Sequence, residues 1–144
     1  MLAQAQTRIP EMTVTHVLKW LGGMTAAALA VMPVSAQAPD LAMLSSLSKG
    51  SWRLDFRGEQ PTRRICVRTG REFIQLRHRQ PTCDRFVVSD SPNEVTVQYT
   101  CRGNGYGRTT IRRESSGLVQ IRTRGTEGGR PFSMEGEARR TGSC

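Results

Sequence analysis

The sequence predicts an all-β fold: one antiparallel meander of about seven strands, forming a curved sheet or a partly open barrel, with a short helix packed on the concave face and a signal helix at the N-terminus. Two observations carry this prediction. Apolar and polar residues alternate with a two-residue period through most of the chain after residue 50, which is the pattern of half-buried strands. Clusters of Gly, Pro, Ser and Asn interrupt the alternation at short intervals, as hairpin turns require.

Composition narrows the class of protein. The chain has 144 residues, 37% of them hydrophobic, and 21 Lys and Arg against 12 Asp and Glu give a formal net charge of +9. This length allows one domain. The ordered alternation excludes an intrinsically disordered chain. No apolar run reaches the roughly 20 residues of a membrane span, which excludes a polytopic membrane protein.

The first 38 residues have the pattern of a secretory leader. Lys19 precedes an apolar stretch at 20–34, and Ala36 and Ala38 flank Gln37 as an A-x-A cleavage site. The stretch has 15 residues, fewer than the roughly 20 that span a bilayer, so a transmembrane anchor is not expected. We therefore expect cleavage near Ala38 and a periplasmic or secreted protein.

Three segments follow from this reading: a signal peptide at 1–38, a short linker or helix at 39–50, and a β domain at 51–144. Either Met1 or Met12 can be the start of translation. Nothing in the predicted fold depends on which one is used.

The β domain contains four cysteines, and their number and spacing indicate whether they form disulfides or bind zinc. An even number of cysteines in an oxidising compartment indicates two disulfides. Zinc sites use closely spaced cysteine pairs, whereas these cysteines are 17, 18 and 43 positions apart and only one histidine accompanies them. The residues concerned are Cys66, Cys83, Cys101, Cys144 and His78.

The elements are predicted in chain order from local pattern. Asp40 can cap a short helix whose apolar face carries Leu41, Leu44 and Leu47. The first strand begins at Trp52, where apolar and charged residues alternate, and the second occupies 63–68. Five further strands are separated by clear turn signals; they are 86–89, 95–101, 108–114, 118–124 and 132–140.

A second short helix is expected between the second and third strands. Thr69 and Glu72 form the capping box T-x-x-E, so the helix should occupy about 70–77. Its apolar residues are Phe73, Ile74 and Leu76.

Turn chemistry predicts the strand register. The Gly-Gly turn before the last strand suits a two-residue primed loop, which places Ile121 opposite Gly136 and Arg122 opposite Glu135. The three-residue turn before it places Ile111 opposite Ile121. These hairpins share one apolar face, and a slip of one residue would reverse every side chain.

The two earlier hairpins extend the same face. Centring the GNGYG loop on Asn104 places Val97 opposite Ile111 and Tyr99 opposite Thr109.

The hairpin at Ser-Pro, residues 91–92, then places Cys83 opposite Cys101, which leaves Cys66 to pair with Cys144. The same register turns Phe86 away from the apolar face, so a bulge or a one-residue slip is expected near it.

These features resemble those of domain of unknown function family 3617, a family of small exported proteins of Gram-negative bacteria. The residues that carry the resemblance are the G-S-W start of the first strand at 50–52 and the cysteines at 66, 83, 101 and 144. The resemblance implies an exported, β-rich protein. It implies no activity and no functional residue.

Arginines on the polar face are the strongest functional signal. The predicted register places Arg108 opposite Arg124, Arg112 near Arg122, and Arg102 at the rim. Like charges opposite each other destabilise a sheet, so this face suits an anionic partner: phosphate groups of an envelope glycolipid, an anionic polysaccharide or an acidic protein.

A solvated face is the alternative interpretation of these arginines. Of the 19 basic residues after the leader, 18 are Arg, and such a bias can arise from codon composition alone. Glu135 and Glu137 lie across from Arg122 and Gln120 in the predicted register and partly neutralise the face.

Other functions have weaker support. Nucleic acid is not expected because the polar face lacks interleaved aromatic residues. His78, between two arginines, is expected to be solvated. The glycines at 103–107 suit a hairpin turn. No metal, cofactor or catalytic motif is present.

We expect a monomeric, non-catalytic binding domain. A carrier of a lipid or other apolar ligand inside a half-barrel is the alternative, and an envelope hydrolase comes third.

Overall fold

The computed structural model describes residues 41–58 and 60–144. The predictions for the leader at 1–38 and for the Asp40 cap lie outside these residues. The elements in order are α1 (Ala42–Ser45), β1 (Gly50–Phe56), β2 (Arg63–Val67), a single 3₁₀ turn (Arg71–Phe73), β3 (Cys83–Asp90), β4 (Glu94–Cys101), β5 (Gly105–Ser115), β6 (Leu118–Glu127) and β7 (Arg130–Gly142).

All seven strands form one antiparallel sheet in the order β2-β1-β7-β6-β5-β4-β3. The sheet is open, with β2 and β3 as its two edges. The predicted all-β fold is therefore confirmed. Strands β3 to β7 form the expected meander. Strand β1 pairs with β7 instead, with β2 outside it, so β2 and β3 are not neighbours as a seven-strand meander would require.

The register of the last three strands is confirmed. Ile121 pairs with Gly136 and Arg122 with Glu135 between β6 and β7, and Ile111 pairs with Ile121 between β5 and β6. One face of the sheet is consequently apolar and buried. We call it the apolar face, and the opposite side the outer face.

The predicted register between β4 and β5 is wrong by two residues. Val97 pairs with Thr109, and Ile111 pairs with Val95. The loop is centred on Gly103, whose φ of 77° takes the left-handed position that a three-residue turn needs. Moving the loop centre by one residue shifts the pairing by two, so every side chain keeps its predicted face.

The edge strand β3 contains the expected irregularity. Its pairing with β4 shifts between Val87 and Ser89, which is a β-bulge at Val88. Phe86 lies on the outer face and is 69% exposed.

Both predicted disulfides are present. Cys83 and Cys101 join the edge strand β3 to β4. Cys66 in the other edge strand, β2, joins Cys144, which follows β7 at the end of the chain. Each free edge of the sheet is thus held by one covalent link, although unpaired edges are ordinarily the least restrained part of a sheet.

Residues 68–82, which we call the crossing segment, connect the two edge strands. Because β2 and β3 lie at opposite edges, the segment traverses six strand spacings, or about 29 Å for a flat sheet. Fifteen residues are long enough for that distance when largely extended. The segment crosses on the apolar face, where it buries Phe73, Ile74, Leu76 and His78.

The predicted helix at 70–77 is wrong beyond its first turn, since only Arg71–Phe73 is helical. Half of the predicted capping box forms, since the Glu72 carboxylate accepts from the Thr69 amide at 3.3 Å, but the N-cap of the turn is Gly70 rather than Thr69. Further on, sheet side chains take the carbonyls that a helix would use: Thr109 Oγ1 donates to Ile74 O at 2.7 Å and Arg63 Nη1 to Leu76 O at 3.1 Å.

Aromatic packing and α1 complete the apolar core. The rings of Trp52 and Phe73 meet edge to face with centroids 5.1 Å apart, and Trp52 Nε1 donates to Ser48 O at 3.0 Å. The amide of Ala42, the first residue of α1, donates to Asp90 Oδ2 of β3 at 3.1 Å. Leu41, Leu44 and Leu47 are buried as expected, but the predicted helix is shorter, since α1 covers only Ala42–Ser45 and Leu41 and Leu47 flank it.

His78 is 1% exposed, so the prediction of a solvated histidine is wrong. Its ring lies between Tyr99 and Phe132, and its Nδ1 is 3.1 Å from the Tyr99 hydroxyl. The neighbours Arg77 and Arg79 are exposed, because side chains of an extended segment alternate between its two sides. Burial raises the pKa of Tyr99 above its ordinary value of 10.

The raised pKa of Tyr99 predicts a loss of stability in alkali. In the unfolded chain Tyr99 ionises near 10, and in the folded chain it ionises at higher pH, so its contribution is complete below pH 10 and is lost as pH rises through the folded pKa. The chain has two tyrosines, and the variant Tyr106→Phe leaves Tyr99 as the only one.

We expect the phenolate absorbance of this variant to titrate above 10 while the free energy of unfolding falls over the same range. Denaturant unfolding at each pH provides the second measurement. Titration of Tyr99 at the ordinary value in folded protein would contradict the buried position.

Candidate functional site

The candidate site lies on the outer face of β5 and β6. Successive side chains of a strand point to opposite faces, and in these strands the odd-numbered Thr109, Ile111, Ile121 and Thr123 are buried. The even-numbered arginines therefore share the outer face. They are Arg108, Arg112, Arg122 and Arg124, and all four are exposed.

Arg108 and Arg124 form the uncompensated part of this face. They are directly opposite each other across β5 and β6, as predicted. Among the residues that the structure describes, neither has an acidic partner or a side-chain hydrogen bond. Two like charges facing each other lower the stability of a sheet.

Arg112 and Arg122 differ because carboxylates neutralise them. Arg112 Nη2 lies 2.6 Å from Glu114 Oε1, and Arg122 Nε lies 3.1 Å from Glu135 Oε1. Arg57 approaches the same Glu135 carboxylate at 3.4 Å. The side chains of Arg57, Arg112, Arg122 and Glu135 line a depression of about 120 Å³. The structure thus places both arginines on the predicted face and leaves them less available to a ligand.

Arg102 lies in the turn between β4 and β5, at the rim of the outer face. Its Nε is 3.7 Å from Asp84 Oδ2, and the two side chains are 90% and 77% exposed. A pair so open to water contributes little energy. The guanidinium of Arg102 can therefore exchange this partner for another anion.

Two exposed aromatic side chains also lie on this face, although the sequence did not predict them as site residues. Tyr106 is 48% exposed and precedes Arg108 by two positions on β5. Phe86 lies in the same cross-strand row as Arg108 and Arg124, with only Gln98 of β4 between. The expectation that the polar face lacks interleaved aromatics is wrong.

Each omission has a local cause. Tyr106 belongs to the GNGYG sequence, whose glycines predict a turn, whereas β5 already begins at Gly105. Phe86 was predicted to point outward, but its position in the row of Arg108 depends on the β4–β5 register. We call Phe86, Tyr106, Arg108 and Arg124 the arginine–aromatic patch.

Within residues 41–58 and 60–144, no group of three or more His, Cys, Asp and Glu side chains is placed to hold a metal ion. No helix in that part of the chain is long and apolar enough to cross a membrane.

Comparisons with known proteins returned nothing, since no family model, curated protein or solved structure matches the chain. The resemblance to domain of unknown function family 3617 stays a prediction.

Charge repulsion within the patch predicts a stabilising substitution. Replacing Arg124 by Gln removes one of two facing guanidiniums, and we expect the free energy of unfolding at low ionic strength to rise by about 0.5 kcal/mol. High salt should abolish the gain because it screens exposed charges.

Arg122→Gln is the matched control, because it removes the same charge from the same strand and also breaks the contact with Glu135. Its stability should not rise. An equal gain in both variants would show that net charge, rather than the facing pair, is responsible. Urea denaturation at two salt concentrations measures these differences.

Proposed function

We propose that this protein is an exported, non-catalytic β domain that binds the phosphate groups of an anionic envelope component through the arginine–aromatic patch. One observation carries the proposal: Arg108 and Arg124 face each other, exposed, with no acidic partner among the described residues. An anion placed between them would replace repulsion by attraction.

The chemistry of the patch favours phosphate. A guanidinium presents paired donors that match two phosphate oxygens. Exposed Phe86 and Tyr106 add apolar and amphipathic surface beside the two charges. Aromatic side chains of this kind suit the boundary between lipid headgroups and acyl chains, so a phosphate-bearing lipid fits the patch better than a free polyanion does.

The proposed compartment rests on the leader and the cysteines. The predicted signal peptide at 1–38 directs export. Both cysteine pairs form disulfides in the folded domain, and such links persist in oxidising compartments. A periplasmic or secreted location is consistent with both features.

The two alternative functions, an apolar-ligand carrier and an envelope hydrolase, make different demands on the structure. Side chains of the crossing segment occupy the apolar face, where a carrier would hold its ligand, and native mass spectrometry for a co-purifying lipid tests that function. A hydrolase needs a general base, and His78, the histidine of the β domain, is buried in the core beside Tyr99. No observation favours either alternative over the patch.

The proposal predicts which arginines matter for binding. We expect the protein to cosediment with phosphatidylcholine vesicles that contain phosphatidylglycerol. The double variant R108Q/R124Q should bind at least about tenfold more weakly, since each Arg at an anionic lipid surface contributes about 1 kcal/mol.

The double variant R112Q/R122Q is the matched control, because it removes two charges from the same strands at positions already paired with carboxylates. Its affinity should change by less than about twofold. Equal weakening in both variants, or no vesicle binding by the unmodified protein, would contradict the proposal.

A further inference from the structure

A second group of arginines converges on the side of the apolar face, where β2 begins at Arg63. Arg63 pairs with the buried Leu54, so it projects on the side of the apolar face. Arg77 and Arg79 of the crossing segment meet it there. Together with Leu76 and Met134 they line an open cleft of about 390 Å³.

Arg63 is the best-fixed member of this group. Its Nη1 donates to Leu76 O at 3.1 Å, and its guanidinium carbon lies 5.3 Å from the centroid of the Phe56 ring. Its Nη2 is buried and has no hydrogen-bond partner among the described residues. A buried guanidinium nitrogen without an acceptor is costly, so the Arg63 guanidinium, which lines the cleft, has hydrogen-bonding capacity that no described residue uses.

The electrostatics of the cleft are strongly positive. Burial lowers the pKa of Arg63, and the charges of Arg79 and Arg77 lower it further. Arg77 is held by Glu127, with Nε 2.6 Å from Oε2. Arg79 is exposed and has no partner in the part of the chain that the structure describes. Three guanidiniums and one carboxylate leave a formal charge of +2 at this cleft.

We propose that this cleft binds a phosphate group, free or as a monoester, with Arg63 and Arg79 as its donors and Arg77 as the neighbouring charge held by Glu127. A phosphate dianion neutralises the formal charge of the cleft, which a single carboxylate does not. Its oxygens also match the forked donors of guanidinium groups. The cleft shares no residue with the arginine–aromatic patch, so phosphate binding at the cleft can be tested independently of the function proposed above.

Titration of ¹⁵N-labelled protein with inorganic phosphate tests the site. Sodium chloride keeps the ionic strength constant, and two-dimensional spectra follow the Arg63 Nε–H signal and the amides of 77–79. We expect saturable shifts confined to these groups. The variant R79Q, which breaks no hydrogen bond or ion pair of the described structure, should weaken the affinity about tenfold.

The variant R64Q is the matched control. Arg64 is the next residue of β2, is exposed, and lies on the outer face opposite Arg53. It removes the same charge, and the affinity should stay within about twofold of the unmodified protein. Equal weakening by R79Q and R64Q would show diffuse attraction and overturn the proposal, as would the absence of saturable shifts at millimolar phosphate.

A parallel titration with glycerol phosphate distinguishes an esterified phosphate from the free ion as the ligand. Tighter binding of the monoester identifies an esterified phosphate as the ligand, whereas tighter binding of inorganic phosphate identifies the free ion. In both arms R108Q/R124Q should bind like the unmodified protein. Loss of phosphate binding in that variant would place the ligand on the outer face and overturn the assignment to the cleft.

Discussion

The crossing segment, residues 68–82, determines how this small domain closes its core. Its two ends belong to strands at opposite edges of one open sheet, so the chain has to pass over a face of that sheet. The apolar face needs a cover, and the segment supplies one with Phe73, Ile74 and Leu76. Burial of each such side chain contributes about 1.5–3 kcal/mol, while the ordering of an extended segment costs backbone entropy at every residue.

Covalent links and directed hydrogen bonds reduce that cost. Cys66 lies just before the crossing segment and Cys83 just after it, and both are in disulfides with the sheet or the chain end. Between these anchors, Thr109 and Arg63 donate to segment carbonyls. The disulfides of Cys66 and Cys83 therefore restrain both the edge strands and the segment that covers the core. Such restraint suits a domain too small to rely on the size of its core alone.

Much of this arrangement follows from local pattern. The two-residue period identifies all seven strands and their buried side, and the turn sequences set the β5–β6 and β6–β7 registers because Gly and short loops admit few geometries. Register in turn brings Cys83 opposite Cys101. The predicted β4–β5 register is wrong because the GNGYG sequence can centre the loop on Asn104 or on Gly103, and these two centres give registers that differ by two residues.

The path of the crossing segment was beyond sequence reasoning for a different reason. The Glu72 carboxylate does accept from the Thr69 amide, as in a capping box, but helix extension competes with hydrogen bonds from distant strands that local sequence does not reveal. The burial of His78 and the convergence of Arg63 with Arg79 are products of that path. The sequence predicts that the four arginines share the outer face, because the face of a strand residue depends on the two-residue period alone. Which of these arginines lack an acidic partner depends on the side-chain positions of Glu114 and Glu135, which the period does not determine.

The most direct test of this account is a nuclear Overhauser measurement on the crossing segment in solution. We predict cross-peaks between the ring protons of Phe73 and Trp52, whose centroids are 5.1 Å apart, and between the His78 ring and those of Tyr99 and Phe132. Random-coil shifts for residues 68–82, with no cross-peaks to the sheet, would contradict the claim that this segment covers the core.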